Sequence, residues 1–118
     1  QLPPFAQGKL VRVIQGEVYD VAVDIRNYSP TFGKWVGESL NAVEKQSMWI
    51  PPGFAHGFLS LEKENIIYYL CTNYRSAQHE VGLLWNDKDL KIKWSTKKPI
   101  ISKKDKKNLT FTEFKNLF

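Results

Sequence analysis

The sequence predicts an all-β domain, a sandwich or closed barrel, on three observations. The dominant hydrophobic period is two, short apolar runs recur every ~8 to 12 residues with Gly and Pro turns between them, and only the stretch from Lys103 to Phe118 has room for helix. At 118 residues, with 42% hydrophobic and 14% aromatic content, the chain has the length and composition of one domain spanning 1–118 with a true core.

The elements follow in order. Gln1 to Gly8 reads as a loop entering a strand, and a chain that does not open on Met reads as cut from something longer, incomplete at its N-terminal side. Leu10-Val11-Arg12-Val13-Ile14 is the first strand. Gln15-Gly16 separates it, as a hairpin turn does, from Tyr19 to Ile25, where Val21, Val23 and Ile25 alternate with Asp20, Ala22 and Asp24. Ser29-Pro30-Thr31-Phe32-Gly33 is turn chemistry, and Lys34 to Leu40 and Ser47 to Ile50 are short and β-rich. After the Pro51-Pro52-Gly53 break come Phe54 to Leu61 and Ile66 to Thr72 around a polar turn, then a weaker candidate strand, His79 to Trp85.

Composition narrows the function classes. No apolar run approaches the ~20 residues that span a bilayer, and no signal-type segment opens the chain, so a soluble cytoplasmic protein is expected. The single cysteine, Cys71, cannot form an internal disulfide, and its apolar run predicts a buried, inert thiol. The net charge of +5 comes largely from lysines near the C-terminus, which read as a solvated basic tail. Those lysines are not interleaved with a stacking platform, so nucleic acid is not the expected partner.

The residues from Pro51 to His56 match P-x-G-x-x-H, one half of the cupin signature, in which a tight turn delivers a histidine into the mouth of a jelly-roll barrel. The other half needs H-x-H on an earlier strand, and Gly8 to Val18 contains no histidine, so a metal-binding cupin is not expected. His56 then reads either as a satisfied structural histidine or as a polar group at the barrel mouth. Lys9 stands at the start of an apolar strand, either solvated at its end or turned inward as a fixed charge. Tyr68 and Tyr69 must face opposite sides of one strand, which sends one of them inward.

Three blocks near the N-terminus, Gly8 to Val13, Gly16 to Asp24 and Ser29 to Gly37, together with Trp49-Ile50-Pro51-Pro52-Gly53-Phe54-Ala55-His56-Gly57-Phe58, resemble the dTDP-4-dehydrorhamnose 3,5-epimerase family. The likeness continues through Tyr69, Cys71-Thr72-Asn73-Tyr74, His79-Glu80, Trp85-Asn86-Asp87 and Pro99 to Asp105, about nine tenths of the chain. The resemblance implies a homodimeric jelly-roll (cupin) barrel with a short C-terminal helical segment. It also implies an isomerase that inverts C3 and C5 of a dTDP-linked 4-keto-6-deoxyhexose through an enolate, without cofactor.

Residue by residue, the resemblance makes Tyr69 the proton donor and sets Lys9 and His56 around the keto sugar as enolate partners. It makes Asp105 the carboxylate that orients the family's histidine base, and Glu80 and Lys104 contacts to the substrate, Lys104 on the nucleotide side. The base itself belongs to a Leu-His-Tyr-type segment that in the family immediately precedes the position of Gln1, so residues 1–118 are expected to be close to inactive alone. A second departure is Tyr74-Arg75, where the family commonly has two tyrosines and stacks the second on thymine; arginine stacks through its guanidinium plane with less preference for that base. Two alternatives remain open: an enzyme that epimerises a single carbon of a related nucleotide sugar, and a binder of nucleotide sugars without catalysis.

Overall fold

The computed structural model describes residues 1–118 as two three-stranded antiparallel sheets. The strands are β1 (Lys9–Gln15), β2 (Glu17–Asp24), β3 (Trp35–Asn41), β4 (Ser47–Ile50), β5 (Phe54–Ser60) and β6 (Ile66–Cys71). One sheet has the order β4-β1-β6 and the other β3-β2-β5. The jelly-roll class stands, but β5 and β6 do not pair, so the barrel is not closed.

The alternation in β2 makes the two sheets one body. Val18 and Ala22 face the opposite sheet and join Val11, Val13, Leu40 and Ile50 in a core that excludes water. Val21 and Val23 face the other way, and the C-terminal third covers them with Leu90, Phe111, Phe114 and the half-buried Ile92 and Trp94. The C-terminal region is thus solvated at its lysines and at Ile100, while Leu90, Ile92, Trp94, Phe111 and Phe114 build a second core. Asp87 fastens this cover, its carboxylate accepting backbone N–H bonds from Asp89, Leu90 and Phe111. Burial opposes charge on Asp87, yet those three donors outweigh it and lower its pKa.

Three expectations need correction. Gln15-Gly16 is not a hairpin: β1 pairs with β4 and β6, whereas β2 pairs with β3 and β5. Gly16, at φ 85°, turns the chain from one sheet into the other, and Asn65 Oδ1 accepts the Glu17 N–H at 2.9 Å. A Cβ on Gly16 would lie 2.2 Å from that oxygen, so no other residue fits the corner. His79 to Trp85 is no strand; Ala77–His79 is a 3₁₀ turn, and a single bridge joins Leu83 to Leu109. The C-terminal helix is only Phe111–Lys115, begun by a capping box between Thr110 and Glu113 and preceded by a 3₁₀ turn at Asp105–Lys107. The third correction is Cys71, which is exposed: its face of β6 opens onto the gap between the sheets.

Candidate functional site

The gap between β5 and β6 is an open cleft of about 1190 Å³. Every residue of β5 lines it, so the unpaired edge of that strand is one wall, and Tyr69 and Cys71 project into it from β6. Pairing across β1 sets Val11 opposite Tyr69 and Lys9 opposite Cys71, which puts these side chains on the same face of their sheet. Lys9 therefore turns inward, its Nζ 5.8 Å from the centre of the Tyr69 ring. Tyr68 takes the other face and does not line the cleft.

His56 enters from the opposite sheet. Gly53, at φ 90°, makes the tight turn after Pro51-Pro52, and β5 then carries His56 to a position across from Ala22. Its Nε2 lies 2.6 Å from Oδ1 of Asp20, a residue with no solvent exposure. An ionised carboxylate only accepts, so the proton between them belongs to Nε2, and Nδ1 is the ring nitrogen turned away from Asp20. The second oxygen of Asp20 is buried without a protein partner, which makes the imidazole its sole compensation. Asp20 is the site residue that sequence reading missed. The signal was its place in β2, where the period of two sets a carboxylate on the core side with Val18 and Ala22.

The turn before His56 is held from below. Asp24, 1% exposed, accepts from both the Nε and an Nη of Arg26 at 2.9 Å and from the hydroxyls of Ser29 and Thr31. The Arg26 side chain crosses the bare Cα of Gly53 and lies 5.0 Å over the Phe54 ring. The guanidinium holds the Asp24 carboxyl well below the usual carboxylate range, with the two hydroxyls adding to its effect against the cost of burial.

At the mouth, Glu80 follows the 77–79 turn and takes Arg75 Nε on one oxygen at 2.7 Å and Lys104 Nζ on the other at 3.2 Å. Arg75 above all, then Lys104, lower its pKa to about 2. Asp105 also lines the cleft, exposed, with its carboxylate near the Asn108 amide at 3.4 Å. Tyr74 does not join the cleft: it is 88% exposed, and its carbonyl is held by the Gln1 side chain. His79 is likewise occupied elsewhere, bonded to Ser76 and packed 4.8 Å from the ring of Phe5. The cleft thus gathers Lys9, His56, Tyr69, Arg75, Glu80, Lys104 and Asp105 from six separate parts of the chain. An inward ammonium, an oriented imidazole and a phenol suit a substrate that develops negative charge on oxygen.

Known proteins resemble the chain in sequence and in fold. A 3,5-epimerase from Shigella flexneri is 55% identical over 105 residues, which are 89% of this chain and 58% of that protein, so the chain spans about three fifths of that relative's length. A crystal structure of the Bacillus anthracis enzyme with TDP and PPi bound superposes with a TM-score of 0.91 at 46% identity, covering 93% of this chain and 63% of the other. The Legionella pneumophila enzyme in complex with dTDP-4-keto-L-rhamnose gives 0.85 at 42% identity, with the same coverage. The family model described as dTDP-4-dehydrorhamnose 3,5-epimerase matches residues 1–113, and the chain belongs to that family.

Proposed function

We propose that the protein is an isomerase that converts dTDP-4-dehydro-6-deoxy-D-glucose into dTDP-4-dehydro-L-rhamnose, inverting C3 and C5, in cytoplasmic deoxysugar synthesis. The observation that carries this reading is the convergence of Lys9, His56 and Tyr69 on one cleft in a chain of this family.

The chemistry starts from the C4 ketone, which acidifies the C–H bonds at C3 and C5. A base removes one proton, the electron pair moves through the C–C bond onto O4, and an acid returns a proton to carbon from the opposite face. Lys9 stabilises the enolate oxygen, and His56, its ring oriented by Asp20 through Nε2, adds an Nδ1–H donor in its imidazolium form. Tyr69 is the proton donor. Asp105 orients the histidine base that the family carries, and Glu80, Lys104 and Arg75 meet the nucleotide side, with Tyr74 beside them. A homodimer accords with the outer face of the β4-β1-β6 sheet, where Trp49, Leu10 and Leu70 stand in one row, each 38% exposed or more.

In heavy water, the full-length protein supplied with the 4-keto substrate is expected to incorporate deuterium at both C3 and C5. Label at one carbon only would select the single-carbon epimerase instead. Tight dTDP binding without any exchange would leave a non-catalytic binder.

A further inference from the structure

We infer that Arg75 is a diphosphate clamp at the cleft mouth, rather than a platform for the nucleobase, and that Glu80 is the residue that positions it. The inference rests on the nucleotide-sugar reading above and adds a specificity-determining residue to it.

The argument starts from how the guanidinium is held. Glu80 engages Arg75 through Nε alone, at 2.7 Å, which fixes the plane of the group at one edge. The two Nη atoms, with four N–H donors between them, make no bond within the protein, and the side chain is 72% exposed where it lines the cleft. Such a fork matches two oxygens of a phosphate group. Lys104 occupies the other oxygen of the same carboxylate, so two cations face one anion and the cluster keeps a net positive charge at the mouth. Stacking on a base would leave the free Nη donors unused, whereas two phosphate oxygens would engage them.

The backbone around the clamp is fastened as a positioned group requires. The Ser76 N–H donates to Gln1 Oε1 at 2.9 Å, the Gln1 amide donates to the Tyr74 carbonyl at 3.0 Å, and Gln7 donates to the Asn73 carbonyl at 2.6 Å. The loop carrying Arg75 is thereby tied to the segment that leads into β1 and Lys9.

The test is calorimetric titration of the wild-type chain, Arg75→Gln and Arg75→Lys with dTDP, thymidine and inorganic pyrophosphate. Expected are a loss of about tenfold in dTDP and pyrophosphate affinity for Arg75→Gln, a smaller loss for Arg75→Lys, which keeps the charge without the fork, and unchanged thymidine affinity. Equal dTDP affinity in wild type and Arg75→Gln overturns the clamp, and so does a matching loss for thymidine, which assigns Arg75 to the base. Failure of the wild type to bind dTDP while it binds pyrophosphate through Arg75 refutes the nucleotide reading and keeps the clamp. If it binds neither, both fall.

Discussion

Tyr69→Phe in the full-length protein is expected to lower kcat for epimerisation by ~10²–10⁴ while leaving dTDP affinity within about twofold. The substitution removes one oxygen and nothing else. Tyr69 is 55% exposed on the cleft side of β6, so its hydroxyl contributes little to folding, and the change in stability should stay within about 0.5 kcal/mol. What it removes is the proton that must reach carbon from the face opposite the base. Lys9 cannot replace it, because an ammonium placed to stabilise the enolate oxygen is not placed to protonate the neighbouring carbons. Steady-state rates, with deuterium content at C3 and C5 followed by NMR, give the measurement. A kcat within threefold of wild type would remove Tyr69 from the mechanism.

Asp24→Ala is expected to cost about 3 kcal/mol, the low end for breaking a buried ion pair, because the abandoned Arg26 is 34% exposed and can be solvated. For a chain of this length that corresponds to a fall in Tm of about 10 °C. The effect should depend on pH in a defined direction. Asp24 has a folded pKa depressed below its unfolded value of 3.8, so its contribution is fully present above about pH 5 and is lost as the pH falls through 3.8 toward the folded value. Denaturant unfolding of wild type and variant should therefore give curves well separated at pH 7 that draw together below pH 3. A gap that stays constant with pH would assign the loss to packing instead.

Much of this was legible in the chain. The strands begin and end within about two residues of their sequence limits because the period of two and the Gly and Pro turns are local signals. Tyr69, Lys9 and His56 could be set in one cleft because each sits in a recognisable block. Pairing was not legible: a hairpin reading of Gln15-Gly16 was reasonable locally, but Asn65, far along the chain, decides that corner. Asp20 was missed for the same reason, since a carboxylate on the core side of β2 gains meaning only when β5 brings His56 beside it. Cys71 was misread because an apolar run does not reveal that one face of its strand looks into an open cleft.

The corner at Gly16 also bears on how the chain reaches this state. Of the five links between successive strands, only the one from β2 to β3 stays within a sheet. Lys9 must find Ile50, or Cys71 farther along the chain, before β1 has any partner. Most of the loop-closure entropy of that sheet is therefore lost before the pairing that compensates it, which sets refolding in the range of milliseconds to seconds.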